Sequence, residues 1–272
     1  MTDRIHVVAF PFDLFGNAGT GAGAVLLADV VREIVDDTDR ETRATRADAY
    51  RDRIDVTEFD FETPKAVAEW RATGTKAIRK SLKENRFTLW LGGNHLSVLP
   101  VYESLGPDDL VIQFDAHLDL FDLHDTTEHL SHGNFLRHAS SLPTLVNVGH
   151  RDLLIPEKSI GKYYRETIPA IAVQADPASV CNRLRKHVAA AKRVWIDVDA
   201  DVFDPAFCPA VHQRTPFGLP PLAVLNLVDA IWSEKVIGAS VCEFDPGRDV
   251  EELSLQLLGW WVEWLCLNAA ER

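Results

Sequence analysis

Short hydrophobic segments alternate with longer segments of helical periodicity along the chain. The short segments are rich in β-branched residues, which is typical of buried parallel strands, and the longer ones repeat apolar residues every three or four positions. Several longer segments begin with proline or a small polar residue, which favours the start of a helix. The predicted strands are 5–10, 54–59, 87–91, 110–114, 144–148, 168–173, 194–198 and 236–241. The predicted helices are 22–35, 64–83, 132–140, 177–191, 220–233 and 250–268.

This alternation predicts an α/β fold in which a doubly wound, mostly parallel sheet lies between two layers of helices, a three-layer α/β/α arrangement. The sequence has no internal repeat, no low-complexity segment and no linker rich in Pro, Gly or Ser. The charged stretch 36–53 is interpreted as a helix end and a solvated loop, not as a domain boundary. We therefore expect a single domain over residues 1–272.

Composition and charge narrow the possible functions. The 272 residues include 28 basic and 41 acidic side chains, which gives a net charge of -13. Because phosphate backbones and anionic lipids would be repelled, we expect neither nucleic-acid nor membrane-surface binding. No apolar run is long enough to span a membrane and the first residues lack a secretory signal pattern, so we expect a cytoplasmic protein. The four cysteines are far apart, which predicts free thiols.

Side chains that can bind metal ions follow three predicted strands, where open parallel sheets bind their ligands. These residues are His95 after 87–91, Asp115, His117 and Asp119 after 110–114, and Asp197, Asp199 and Asp201 at the end of 194–198. In both acidic runs the polar residues alternate, so an extended chain points them to one side. So many carboxylates would raise one another's pKa values unless cations were bound. Oxygen and nitrogen donors without nearby thiolates suit a pair of ions such as Mn²⁺.

Three segments carry a resemblance to a known family. LGGNHL (91–96), FDAHLD (114–119) and DVDADVFDPAFCPA (197–210) are similar, in order and separation, to the GGDHS, DAHxD and SxDxDxxDP motifs of the ureohydrolases, the arginase and agmatinase family. The resemblance implies eight parallel strands with helices on both sides, two manganese ions per chain, and a trimeric or hexameric homo-oligomer. It also implies the ligands: His95 and Asp119 for one ion, His117 and Asp201 for the other, and Asp115 and Asp199 as bridges.

The same resemblance gives roles to two further residues. His132 matches a histidine that relays a proton to the leaving amine, although a simple role at the start of a helix stays open for it. Glu243 matches the glutamate that binds the guanidinium group, although a surface or capping role stays open there. The implied reaction is hydrolysis of a small guanidino compound to urea and an amine. In it Asp119 orients the attacking hydroxide, Glu243 holds the guanidinium and His132 acts as the acid.

The sequence also departs from the family pattern. Asn94, Leu96 and Asp197 stand where the family has Asp, Ser and Ser, which bears on the orientation of His95 and on metal preference. The loop 120–130 lacks the Asn and Ser with which arginases hold the substrate's α-carboxylate. We therefore expect an agmatinase-like activity rather than a true arginase.

The substrate stays open at this stage. The acidic residues Asp122, Asp125 and Glu128 would receive the distal ammonium of agmatine or a similar guanidino amine. Arg214 would instead favour a carboxylate-bearing guanidino or formimino substrate. A family member that binds metal without catalysis is a further alternative.

Two other enzyme classes are disfavoured by the order and number of the motifs. A binuclear phosphoesterase also uses DxH and GNH segments, but here their order is reversed. The zinc amide hydrolases of the deacetylase type share the sheet but bind one metal with fewer aspartates.

Overall fold

The β-branched segments form an eight-stranded sheet. The structure is a computed structural model that describes residues 4–121, 129–153 and 155–271. The strands are Ile5–Phe10 (β1), Ile54–Glu58 (β2), Phe87–Gly92 (β3), Leu110–Phe114 (β4), Thr144–Val148 (β5), Glu166–Ile168 (β6), Val194–Asp199 (β7) and Val236–Cys242 (β8). Their order is β2-β1-β3-β8-β7-β4-β5-β6, and every pair within the described ranges is parallel.

Helices cover both faces of this sheet. They are Thr20–Arg40 (α1), Pro64–Lys83 (α2), Leu99–Tyr102 (α3), Glu157–Ile160 (α4), Ala170–Ala175 (α5), Pro177–Ala190 (α6), Pro221–Ile231 (α7) and Leu253–Ala270 (α8). Two long helices begin as their sequences predict, with proline in the first turn. The Thr63 hydroxyl accepts a hydrogen bond from the amide of Ala66, and the Asp176 carboxylate accepts one from the amide of Ser179. Such caps satisfy amides that have no partner within the helix.

Each strand contributes to two hydrophobic cores, because successive side chains point to opposite faces of a sheet. On β7, Ile196 and Val198 pack in the core that α1, α6, α7 and α8 cover. Trp195 packs in the second core, beneath α2 and α3. The predicted doubly wound parallel sheet with helices on both sides is thus confirmed.

Two predicted elements are wrong in part. The predicted strand 168–173 ends at Ile168, and α5 follows after Pro169, because a short apolar run rich in alanine is compatible with a helix as well as a strand. The predicted helix 132–140 is only a 3-10 turn at Phe135–His138. Just before this turn the Asn134 side chain bonds locally, accepting from the amide of Ser131 and donating to a backbone carbonyl. Bonds of this kind compete with a regular helix.

Two smaller observations concern the helices and the thiols. Across the described ranges, no helix combines the length and apolar character needed to cross a membrane. All four cysteines are free, as predicted; Cys181 is partly exposed and the other three are buried.

A partly buried ion pair between α2 and the residue after α3 provides a pH-dependent test of the fold. Glu103 accepts hydrogen bonds from the Arg71 guanidinium and from both the amide and the hydroxyl of Ser140, at 2.6 Å for each Ser140 contact. Burial alone would raise the pKa of Glu103, but these bonds outweigh it and lower that pKa. The ionised Glu103 carboxylate therefore stabilises the fold fully above pH 4.5, the usual pKa of a glutamate. This stabilisation is lost as the pH falls through the lower pKa that Glu103 has in the folded state.

We expect Glu103→Gln to lower the free energy of unfolding at neutral pH by about 1–2 kcal/mol, because it removes charge-assisted hydrogen bonds from a partly buried group. The difference from the wild type should shrink in acid. Urea unfolding of the metal-free wild type and variant, at neutral pH and at a pH below the folded-state pKa of Glu103, measures this difference. Asp37→Asn, at an exposed ion pair on α1, is the control and should change little at either pH. A Glu103→Gln difference that does not depend on pH would contradict this account.

Candidate metal centre

The predicted site residues lie at the carboxyl ends of four neighbouring strands in the middle of the sheet. β3 leads to His95, β8 to Glu243 and β4 to Asp115, while β7 ends with Asp199. Because these strands are adjacent in the order β3-β8-β7-β4, the residues that follow them meet at one edge. This is the edge at which open parallel sheets bind ligands.

One group of candidate ligands surrounds His95. Its Nδ1 atom lies 2.7 Å from Oδ2 of Asp119, 3.1 Å from Oδ2 of Asp115 and 3.3 Å from Oδ2 of Asp199. His95, Asp115 and Asp119 each offer one ligand atom, and these atoms lie within 4.8 Å of one another. An imidazole with carboxylates at this spacing is a suitable donor set for a divalent cation.

A second group surrounds His117 and shares Asp115 with the first. The Nδ1 atom of His117 lies 2.9 Å from Oδ2 of Asp201 and 3.8 Å from Oδ1 of Asp115. Asp199 joins the two groups, since its Oδ1 accepts a hydrogen bond from the amide of Asp201 at 2.9 Å and its Oδ2 faces His95. The structure thus brings together all the residues predicted as ligands. Five of them form these two overlapping groups, and Asp199 lies with His95 and the Cys242 thiol in a third group. The expectation that no thiol lies near the candidate ligands is therefore wrong, because Cys242 ends β8, next to β7.

Electrostatic repulsion among these carboxylates is strong. Burial and the negative charge of Asp119 raise the pKa of Asp115 to about 8. Burial, together with the charges of Asp201 and Asp115, raises the pKa of Asp199 well above its usual value. Such shifts indicate that the cluster favours positive charge among its oxygen atoms, which bound divalent cations would supply.

The imidazole of His117 is affected by the same carboxylate charges. Burial opposes a positive charge on His117, but Asp201 outweighs it and raises the pKa of His117 to about 10. In turn, His117 outweighs the effect of burial on Asp201 and lowers the pKa of that carboxyl to about 2. This pair therefore behaves as an ion pair in the metal-free protein.

Two buried atoms support a metal site directly. Nδ1 of His95 and Oδ2 of Asp119 have no hydrogen-bond partner within the described ranges, although they lie 2.7 Å apart. Buried polar atoms are nearly always hydrogen-bonded, so an atom pair of this kind calls for a bound ion or water. Nitrogen and oxygen donors directed at one point fit a divalent ion.

Two of the eight non-glycine residues with a positive φ angle in the described ranges lie at this site. Asp119 and Glu243 both have positive φ angles, 48° and 65°, which residues other than glycine rarely adopt. Each costs on the order of 1–3 kcal/mol, and such conformations persist where function requires them. Both carboxylates line the shared cavity.

Glu243 is held firmly in the wall of this cavity. Its Oε1 atom accepts a hydrogen bond from the amide of His95 at 2.7 Å, and its Oε2 atom accepts one from the Asn17 side chain at 2.8 Å. Burial raises the pKa of Glu243, while the nearby His132 acts in the opposite direction. Asn17 is not among the residues predicted from the sequence, although it lies in the glycine-rich loop that follows β1, the strand next to β3.

His132 lines the same cavity, together with Phe121, Gly133 and Gln213. Its Nδ1 atom is buried and has no hydrogen-bond partner within the described ranges. Gly16 allows this placement, because a Cβ atom at position 16 would lie 2.1 Å from that nitrogen. The first loop therefore shapes the cavity next to His132.

We expect Gly16→Ala to lower the turnover number at least about 10-fold, because the methyl group forces the imidazole of His132 away from its place. Metal content should be unchanged, since no candidate ligand contacts the new atom. Gly161→Ala is the matched control, because the nearest atom to its Cβ would lie at 3.8 Å. Steady-state kinetics and metal analysis of both variants check this, and wild-type turnover in Gly16→Ala would contradict it.

The structure leaves one set of predicted substrate contacts untested and places the other residue away from the cavity. Asp122 and Glu128, with Asp125, lie outside the described residues. Arg214 does not line the cavity; its guanidinium donates to the carbonyls of Pro209 at 2.7 Å and Arg248 at 3.3 Å. The predicted role of Arg214 beside the substrate is therefore wrong, because backbone carbonyls bind its donors on the surface.

The departures from the metal motifs also have definite partners. The amide group of Asn94 donates to the carbonyl of Leu14 at 3.1 Å, so it supports the first loop rather than His95. Leu96 is fully buried in the core beneath α2 and α3. Asp204, which matches the last aspartate of the SxDxDxxDP motif, accepts hydrogen bonds from the amides of Ala206 and Gly218 and so stabilises its own loop.

Comparison with known proteins agrees with this geometry. The sequence profile of the Arginase family matches residues 3–264. The chain is 33% identical over 174 residues to mitochondrial arginase 1 of Arabidopsis thaliana, covering 59% of this chain and 48% of that protein. It is 29% identical over 204 residues to an agmatinase of Halalkalibacterium halodurans, covering 67% of each. The chain spans about half the length of the plant arginases that it matches.

Solved structures show the same fold. The crystal structure of a hypothetical agmatinase from Burkholderia thailandensis superimposes with a TM-score of 0.80 at 21% identity, covering 98% of this chain and 86% of that one. An arginase from Bacillus subtilis superimposes with a TM-score of 0.76 at 21% identity, covering 97% and 98% of the two chains.

Proposed function

We propose, since the chain belongs to the arginase family, that it is a metal-dependent hydrolase of a linear guanidino compound and releases urea and an amine. The observation that carries the proposal is one small cavity that contains two overlapping groups of metal-ligand side chains together with Glu243. A buried carboxylate next to a metal centre can bind a planar guanidinium group and hold its carbon in position for attack.

We further propose that the centre binds two manganese ions per chain. His95 and Asp119 would bind one, His117 and Asp201 the other, and Asp115 and Asp199 would bridge them. Bound divalent ions lower the pKa of water and so supply hydroxide near neutral pH. The support for two ions is that the candidate ligands form two groups that share Asp115.

Three side chains would then act on the substrate. The Glu243 carboxylate accepts hydrogen bonds from the guanidinium and fixes the carbon that is attacked. Asp119 accepts a hydrogen bond from the attacking water and orients it. His132, which lines the same cavity and has a buried nitrogen without a hydrogen-bond partner in the described ranges, gives a proton to the departing amine.

The surroundings of the cavity support an agmatinase-like substrate. Among its lining residues within the described ranges there is no lysine or arginine, and Arg214 binds backbone carbonyls elsewhere. Among the described residues, a carboxylate-bearing substrate would thus find no lysine or arginine at the cavity wall to bind its carboxylate. Asp122 and Glu128 remain our proposal for binding a distal ammonium group.

The test is urea release from a panel of guanidino compounds with Mn²⁺ supplied. The panel contains agmatine, arginine, a guanidino acid and a formimino acid. Hydrolysis of the formimino acid gives formamide instead of urea, so formamide is measured for that compound. We expect release from the guanidino amine, strong dependence on the metal, and loss of activity with EDTA. Release from the acids alone would favour the carboxylate-bearing alternative. Tight metal binding without release from any compound would indicate a family member without catalysis and contradict the proposal.

We also propose that residues 1–272 act as one domain in a cytoplasmic trimer or hexamer. The support for one domain is the position of β3, which pairs with β1 from the start of the chain and with β8 from near its end. Limited proteolysis, light scattering and cell fractionation test the three parts of this proposal.

A further inference from the structure

The Asp197 carboxylate lies beneath the candidate metal centre and is fully buried. It precedes Asp199 by two residues on β7, so both side chains point to the same face of the sheet. Strand register places it beside Ser240 of β8 and Gln113 of β4. Within the described ranges Asp197 belongs to neither ligand group, so its charge requires a separate explanation.

Three donors converge on this carboxylate. Its Oδ2 atom accepts hydrogen bonds from the Tyr102 hydroxyl at 2.5 Å and from Nε2 of His95 at 2.8 Å. Its Oδ1 atom accepts a short hydrogen bond from the Ser240 hydroxyl. The carboxylate therefore connects the ring of His95 to two different parts of the core.

The direction of these bonds is fixed by the neighbouring groups. The Trp195 indole donates to the oxygen of Ser240 at 2.9 Å, and an indole N–H can only donate. The Ser240 proton is consequently directed to Asp197. Burial raises the pKa of Tyr102, so its hydroxyl keeps its proton and donates as well. With both hydroxyls donating, Asp197 acts as the acceptor for Nε2 of His95.

A proton held on Nε2 leaves the other ring nitrogen of His95 free to bind a cation. That nitrogen is the buried Nδ1 atom that faces Asp119 and Asp115. A carboxylate that accepts from one nitrogen of a metal-binding histidine fixes the ring and makes the other nitrogen a stronger donor.

We propose that Asp197 is a positioning residue, which holds His95 with Nδ1 directed at the metal centre and thereby strengthens ion binding on the His95 side. This inference rests on the proposed metal-dependent function. It concerns ion affinity at one of the two groups, so the His117 side should be unaffected.

The experiment is a Mn²⁺ titration of the full chain, with bound and free ion separated by EPR. Asp197→Asn preserves the volume of the side chain but removes its charge. We expect it to weaken the binding of one of the two ions about 10- to 100-fold. Asp197→Ser, which keeps one acceptor oxygen, should give a loss of the same kind. Asp109→Asn is the control, because Asp109 is also buried and paired, with Arg193, but lies at the opposite end of the sheet. It should bind both ions as the wild type does.

A spectroscopic measurement separates positioning from general damage. In the wild-type protein loaded with Zn²⁺, the ¹H–¹⁵N spectrum should show a low-field proton on Nε2 of His95, and in Asp197→Ser this signal should move upfield. Because the wild-type signal needs no variant, its absence would overturn the inference even if neither variant folds. Equal ion affinities in wild type and both variants would also overturn it. A wild type that binds two ions but releases no urea would contradict the proposed function only.

Discussion

Asp115→Asn is expected to reduce urea release on the order of 10³-fold and to leave fewer than two manganese ions per chain. Asp115 is the residue that the two ligand groups share. Its Oδ1 atom also accepts from the amide of His117 at 2.6 Å, and its Oδ2 atom accepts from the Gln113 side chain at 3.0 Å. An amide has one acceptor oxygen and no charge, so it cannot make these bonds and also bind two cations. Urea assays and elemental analysis measure the two effects.

Asp109→Asn provides the control for this substitution, because Asp109 directly precedes β4 and Asp115 directly follows it. It removes a buried carboxylate from the same strand region without touching the site, so activity and metal content should both persist at temperatures where the variant is folded. If Asp115→Asn kept two ions and normal turnover, the shared-ligand arrangement would be wrong.

Glu243→Gln should lower kcat/KM on the order of 10²- to 10³-fold while both metal ions remain bound. The physical reason is that the buried carboxylate is our proposed partner of the guanidinium, and removing one member of a buried charge pair costs about 2–5 kcal/mol. Because binding of the ground state is also lost, KM should rise. Steady-state kinetics over a wide range of substrate concentration, together with metal analysis, test this.

Asn17→Ala tests the support of the same carboxylate. It removes only the hydrogen bond to Oε2 of Glu243 and leaves the charge, so we expect a loss of about 10-fold or less. An effect of Glu243→Gln no larger than that of Asn17→Ala would mean that the charge of Glu243 does not bind the substrate. Loss of metal from Glu243→Gln would instead assign Glu243 to the metal centre.

The fold was predictable because its signal is local and periodic. The apolar runs at β3, β4 and β7 are buried on both faces, so they appear in the sequence as continuous hydrophobic segments. The segment after Ile168 was not predictable in this way, since its apolar residues are compatible with either a strand or a helix. There Pro169 and the edge position of β6 decide the outcome.

The metal-ligand candidates were predictable for a related reason. In a parallel sheet the carboxyl ends of all strands lie at one edge, so polar residues that follow separate strands meet even when they are far apart in sequence. His95 and Asp199 are brought together in this way without any local pattern that links them. The resemblance to the ureohydrolase motifs then gave each residue a role.

The supporting residues could not be predicted, because their contacts join segments that share no pattern. Asn17 reaches Glu243 across 226 positions, and Tyr102 reaches Asp197 across 95. In the sequence Asp197 looked like an unexplained departure from a serine. Only the folded chain brings Tyr102, His95 and Ser240 together around this carboxylate.

The central claim is that two cations bind side by side at the carboxyl end of the sheet. Anomalous scattering from crystals grown with Mn²⁺ tests it most directly. The account predicts two neighbouring peaks per chain, one between His95 and Asp119 and one between His117 and Asp201, each in contact with Asp115 and Asp199. A single peak, or peaks away from these side chains, would contradict it.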